Sequence, residues 1–339
     1  MLSFSRIVGH RRLTLLLSQA IRRDTLPPTL MFAGPPGVGK FVVARAVAAA
    51  VNCLSPLEDR AGLPLDACGS CRSCDRMRRG VHVDLLPLEP DERASIKIDV
   101  VRGMLERTAF RPFEGRRRVV IFRDADTLEQ QAQNALLKSL EEPPASTVFI
   151  LTTSVPGALL PTVRSRCMRL AFGRLTESDV ATILVRDHDI AEDEARAAAA
   201  LAEGRVGEAL ALGSTDVAVL REAALLLLRQ AARGTAVASR LQAAAVVSTG
   251  PARKERPRED VALLLRLLAS MLRDLELLNS GGEKSAMANP VVADDLGALK
   301  GEFAGDRARA AFAAVDRAIM ALERNAGTKV VSEWLAVQL

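Results

Sequence analysis

Two groups of residues in this chain are of types and spacings that could do chemistry. The first is Gly34-Pro35-Pro36-Gly37-Val38-Gly39-Lys40-Phe41. Glycines so placed let the backbone wrap an anion with its amides turned inward, and the lysine then sits against the outer phosphates. Gly34, Gly37, Gly39 and Lys40 are a candidate phosphate or nucleotide cradle. The next position should carry a hydroxyl to ligate Mg²⁺. It is Phe41, which has no oxygen to offer a hard cation. The loop is equipped to hold phosphate and poorly equipped to hold the metal.

The second group is Cys53, Cys68, Cys71 and Cys74, spaced C-x14-C-x2-C-x2-C. The close turns of the last three let thiolates converge on one ion, and Cys53 can return as the fourth ligand. Four thiolates make a closed tetrahedral Zn²⁺ site, which is structural rather than catalytic because no position is left for water. Zinc is preferred to a metal-free thiol cluster, and disulfides are the poorer reading in a reducing compartment. Cys167 stands far from the four and reads as buried packing.

The elements that must position these groups alternate in type. The apolar run Leu30 to Ala33 precedes the loop, and Val42 to Val51 follows it as a helix. A helix is expected over Ile7–Arg23, ended by Pro27-Pro28. Strands are expected at Val83–Leu88, Val119–Phe122 and Thr147–Thr153, with helices at Ile98–Arg107 and Glu129–Leu140. Strand and helix alternating in this way predict a doubly wound parallel α/β domain. At the end of the Val119–Phe122 strand, where a nucleotide hydrolase of this architecture carries Asp-Glu, stand Arg123 and Asp124. A cation occupies the place of a cation's ligand. Asp124 is read as a helix cap or loop anchor in preference to a base. Arg76, Arg78 and Arg79 are read as a solvated face in preference to a nucleic-acid patch.

Composition sets the bounds. A chain of 339 residues suits two or three domains. No apolar run reaches the ~20 residues that span a bilayer, and Met1 to Ser5 lacks the order of a secretion signal, so a cytoplasmic protein is expected. One Trp and no Tyr disfavour base stacking as a binding mode. The net charge of +5 permits a phosphate-facing surface without demanding one. From Val217 the chain is rich in Leu and Ala and reads as helical, with some faces apolar enough to suggest subunit packing. Pro251 to Glu259 reads as an exposed connection.

Asn134 to Pro144, Ser165-Arg166-Cys167, the four-cysteine insert and Glu323 to Lys329 together resemble the bacterial clamp-loader branch of the AAA+ superfamily. The resemblance implies an AAA+ module with a zinc insert over residues 1–172 (zinc module 53–74), a helical lid over 173–213 and an all-α collar over 214–339. It implies that Arg166 is an arginine finger reaching a neighbouring subunit's ATP site, as a guanidinium can in trans, in preference to a residue that merely pairs with an acidic neighbour. Thr176 and Asp179 are expected to cap the first lid helix reciprocally. Gly207 occupies the place where a hydrolysing loader subunit carries a phosphate-sensing arginine, and Arg205, two residues away, is expected to face elsewhere. Phe41, Arg123 and Gly207 depart in the same sense, so the chain resembles the non-hydrolysing kind of subunit.

The expected role is to help open the sliding clamp and place it on primed DNA for DNA polymerase III. It would act in a hetero-oligomer with gamma/tau-type and delta-type subunits, with structural Zn²⁺ and with ATP or ADP bound at most weakly and not hydrolysed. The alternatives are a hydrolysing loader ATPase and a zinc-bearing nucleic-acid adaptor.

Overall fold

The computed structural model describes residues 2–57, 66–91, 95–212, 217–233, 244–245, 247–249, 256–283, 287–323 and 326–339. The chain divides into two compact units, one of residues 1–183 with 204–207, the other of 184–203 with 208–339.

The first unit is built on a five-stranded, wholly parallel sheet. Its strands are β1 (Thr29–Ala33), β2 (Leu85–Leu88), β3 (Arg118–Phe122), β4 (Thr147–Thr153) and β5 (Met168–Ala171), in the spatial order β2-β3-β4-β1-β5. β1, β3 and β4 are buried throughout, as continuous apolar runs inside a parallel sheet should be. Side chains alternate between faces. Leu30, Phe32, Val119, Ile121, Val148 and Ile150 pack with α1 (Arg11–Arg22) and α2 (Lys40–Val51). Met31, Val120, Phe122, Phe149 and Leu151 pack on the other face with α4 (Ile98–Thr108) and α5 (Gln130–Glu141). α3 (Arg72–Arg79) carries the last cysteine, and α6 (Pro161–Arg164) leads to Arg166.

Two expected boundaries move. The helix expected from Ile7 starts only at Arg11, because Gly9 and His10 take left-handed backbone angles, φ 71° and 49°. The His10 imidazole Nε2 lies 2.8 Å from the Val38 carbonyl, so a tertiary bond fixes the break. The strand expected from Val83 begins at Leu85, whose N–H donates to the His82 carbonyl in a turn.

The first unit ends in the first turns of α7 (Glu177–His188). Asp179 N–H donates to Thr176 Oγ1 at 3.1 Å and Thr176 N–H to Asp179 Oδ2 at 3.4 Å, the reciprocal cap expected.

The second unit is helical among its described residues. α8 (Glu192–Leu201), α10 (Val217–Ala232), α11 (Arg258–Asn279), α12 (Ala293–Leu299), α13 (Asp306–Glu323) and α14 (Thr328–Gln338) enclose a Leu- and Ala-rich core centred on Leu264, Leu268 and Met271; α9 (Val206–Leu212) begins in the first unit. Residues 251–255 of the expected connection, and Arg324 and Asn325 of the C-terminal motif, lie outside the described residues. No helix among the described residues is long and apolar enough to cross a membrane.

Candidate functional site

The glycine-rich loop sits at the C-terminal end of β1, between β4 and β5, where parallel sheets place ligands. Gly37 and Gly39 have φ of 74° and 92°, the left-handed region that a glycine enters at little cost. A Cβ on Gly34 would meet the Phe172 carbonyl oxygen at 2.2 Å, so no larger residue fits there.

Lys40 is buried, and its ammonium is spent on the protein. Nζ donates to the carbonyls of Gly34 and Pro35 at 2.7 Å each and to Ser154 Oγ at 3.0 Å. Burial pulls its pKa below the ordinary lysine value, against the opposing charges of Asp124 and Asp126. The Gly207 N–H donates to the Gly37 carbonyl at 3.2 Å. A Cβ on Gly207 would stand 3.3 Å from Gly37 Cα, so the residue that replaces the expected sensor arginine also permits this close approach. Arg205 has its backbone beside the loop. It precedes α9, and a Cβ on Gly37 would lie 3.4 Å from that of Arg205. With His10 on Val38, the loop carbonyls of residues 34, 35, 37 and 38 all face protein groups.

Two of the residues singled out in the sequence, Phe41 and Arg123, meet. The Arg123 guanidinium lies over the Phe41 ring, and its Nη1 reaches Glu89 Oε1 at 3.3 Å. Asp124 does not cap the following turn with its side chain: its backbone is left-handed, φ 51°, and its carboxylate stands 3.9 Å from Arg123 Nε. The anchor is Asp126, which the sequence reading passed over. Its Oδ1 accepts from Thr153 Oγ1 at 2.7 Å and from the Ser154 N–H at 3.0 Å, and so holds the serine that meets Lys40. A short Asp-x-Asp at a strand end was the available signal, but spacing does not say which carboxylate turns inward.

Arg166 donates through Nε to Glu141 Oε1 at 2.8 Å and through Nη1 to the Thr162 carbonyl at 2.8 Å. Ser165 and Arg164 beside it are exposed. Cys167 is buried, and burial pushes its thiol up to about 11, as expected of an inert packing residue.

The four clustered cysteines meet. Their sulfurs lie within 4.8 Å of one another, with separations of 4.0 Å for Cys53–Cys71, 3.9 Å for Cys68–Cys74 and 3.7 Å for Cys53–Cys74. A tetrahedral Zn²⁺ with Zn–S bonds of ~2.3 Å requires sulfurs about 3.8 Å apart. Backbone N–H groups of Cys68 and Cys71 donate to the sulfurs of Cys53 and Cys68 at 3.3 Å. Burial raises the thiols of Cys53 and Cys74. At Cys68 the same burial is outweighed by N–H groups of Cys71 and Ser70, which bring it to about 6. A divalent ion would supply the charge that burial otherwise penalises, so the residues fit the metal. Of the arginines of α3, Arg78 and Arg79 share Asp75 at 2.5 and 3.1 Å, and Arg76 pairs with Glu114 at 2.5 Å. All three side chains are exposed, as a solvated face would be.

The family model described as "DNA polymerase III, delta subunit" matches residues 9–176. The delta' subunit of DNA polymerase III from Pseudomonas aeruginosa is 40% identical over 139 residues, covering 41% of this chain and 40% of that protein. The chain belongs to the clamp-loader family. The Escherichia coli delta' subunit is 36% identical to this clamp-loader chain over 188 residues, covering 55% of it and 54% of the relative. The tau/gamma subunit of Haemophilus influenzae is 31% identical over 222 residues, 64% of this chain and 31% of its own length. The clamp-loader chain thus spans between about a third and a half of the relatives it matches, and both kinds of subunit are among them. Of solved structures, a DNA polymerase III gamma subunit-related protein from Thermotoga maritima covers 95% of this chain and 98% of its own at 18% identity, with a TM-score of 0.40.

Proposed function

We propose that this chain is the delta-prime type of clamp-loader subunit. It binds no catalytic magnesium, does not turn over ATP, and lends Arg166 in trans to a neighbouring ATPase subunit. The observation that carries this is the Arg123–Phe41 contact. A cation and an aromatic face fill the place where a hydrolysing subunit needs a hydroxyl and a carboxylate. Phosphoryl transfer depends mainly on positioned charge, and without the metal ligands little acceleration remains. Lys40, committed to Gly34, Pro35 and Ser154, supports the same reading. ATP or ADP, where taken up, is held without magnesium.

In this reading residues 1–172 are the AAA+ module, 173–213 the lid and 214–339 the collar, with Zn²⁺ on Cys53, Cys68, Cys71 and Cys74 stiffening the module. Partners are gamma/tau-type and delta-type subunits in a cytoplasmic hetero-oligomer that handles the clamp and primed DNA. Phe312, Met320, Val330, Trp334 and Val337 on α13 and α14 are exposed, which favours subunit contact there.

The test is reconstitution of the complex with native chain or Arg166→Ala. The variant assembles and loses most of the partner's DNA-stimulated ATP hydrolysis, about a hundredfold or more for a lost finger. An unchanged rate refutes the finger. The tau/gamma relatives favour one rival, a hydrolysing subunit; brisk magnesium-dependent ATP turnover by this chain alone would establish it.

A further inference from the structure

Glu141 and Arg166 carry an inference that rests on the finger reading and deepens it. Glu141 closes α5, and Arg166 follows α6. Arg166 Nε donates to Glu141 Oε1 at 2.8 Å, Nη2 donates to the same oxygen, and Nη1 donates to the Thr162 carbonyl at 2.8 Å. The carbonyl of Arg166 itself accepts from Thr29 Oγ1 of β1 at 2.6 Å. Both the backbone and the side chain of this arginine are therefore held.

A guanidinium has five N–H groups, and these bonds engage three of them. One N–H remains on Nη1 and one on Nη2, the end of the fork that meets a phosphate with two parallel bonds. The side chain is 31% exposed, enough for that end to be reached. An ion pair this open to solvent adds little to stability. What the carboxylate fixes is a direction.

We infer that Glu141 is a positioning residue for Arg166. It holds the guanidinium along its Nε edge, so that the Nη end meets the γ-phosphate of a nucleoside triphosphate bound by the neighbouring subunit. Glu141 does not itself touch that nucleotide. A group acting in this way changes kcat and leaves KM, because misplacement is felt in the transition state.

The experiment uses the reconstituted complex, with assembly followed by size-exclusion chromatography and DNA-stimulated ATP hydrolysis as the readout. The chains compared are native, Arg166→Ala, Glu141→Ala, Glu141→Gln and the Glu141→Ala/Arg166→Ala pair. Glu141→Ala lowers kcat about tenfold with KM nearly unchanged, Glu141→Gln keeps an acceptor oxygen and recovers part of the loss, and Glu141→Ala adds nothing to Arg166→Ala. An unchanged or faster rate in Glu141→Ala, or a further loss on top of Arg166→Ala, overturns the inference while the finger stands. An unchanged rate in Arg166→Ala overturns both. Should Glu141→Ala fail to assemble, Glu141→Gln decides: an Arg166-dependent loss of kcat supports the inference, and a native rate ends it.

Discussion

The Arg123 guanidinium stands over the Phe41 ring, 5.2 Å from its centroid. Two residues 82 positions apart, each of which looks like an isolated loss in the sequence, are one contact. A cation over an aromatic face is attractive, and Glu89 steadies the guanidinium from another side. In the proposed reading this packed pair stands where a hydrolysing subunit would hold magnesium, so changing one member leaves the other in the way.

That coupling gives the first prediction. Phe41→Thr alone keeps a guanidinium where the metal would lie, and Arg123→Asp alone sets a carboxylate against an aromatic ring near Glu89. Neither single variant gains magnesium-dependent ATP binding by calorimetry. The double variant binds at least about tenfold tighter with Mg²⁺ than with a chelator, since hydroxyl and carboxylate then converge. A single variant that matches the double would show that the two positions are independent.

Lys40 is expected to act as a strut. Lys40→Ala strands the half-buried carbonyls of Gly34 and Pro35 and the Ser154 hydroxyl. Losing such donors costs about 1–3 kcal/mol, a fall in Tm of roughly 2–10 °C for a unit of this size. The partner's ATPase in the complex stays at its native rate. A loss of ATPase with unchanged Tm would mark the loop as a working nucleotide site.

Much of this was legible in the sequence because it is local. Glycines before a lysine form the loop, closely spaced cysteines bring their sulfurs together, and Thr176 and Asp179 cap their own helix. What was not legible runs between segments. The break at His10 depends on the Val38 carbonyl, 28 residues on. The choice of Asp126 over Asp124 depends on Ser154 at the end of β4. Helical spacing does not apply to Arg205, because it precedes the helix. Periodicity reports which face of an element is apolar; it carries nothing about which polar tip meets which loop.

Zinc should be measurable and structural. Metal analysis of the purified chain gives about one Zn²⁺ per molecule, as four converging thiolates require. Cys71→Ser lowers both zinc content and Tm, the latter on the order of 10 °C if several kcal/mol of metal-coupled folding is lost. Cys167→Ser, changed at a buried site away from the cluster, keeps its zinc. Full zinc retention in Cys71→Ser would remove that residue from the ligand set.

Asp84 should govern the acid limit of the first unit. It is fully buried, and its carboxylate accepts from the N–H groups of Phe113, Glu114 and Gly115 at 2.8, 2.9 and 2.8 Å and from Arg118 Nη2 at 3.1 Å. Burial alone would raise its pKa, but these donors outweigh it and hold the carboxyl below the usual aspartate range. A carboxyl with a depressed folded pKa stabilises the fold above its unfolded value, about 3.9, and that contribution disappears as pH falls through the folded value. Asp84→Asn turns an amide toward groups that are all donors and leaves Arg118 its backbone carbonyl partners but no buried carboxylate, at a cost of about 3–5 kcal/mol at pH 7. The asparagine does not titrate. The stability gap between native and variant, followed by thermal unfolding, is therefore wide and flat from pH 7 to 5 and narrows below about pH 4. A gap that stays constant down to pH 3 would mean that the charge on Asp84 is not what holds the Phe113–Gly115 loop.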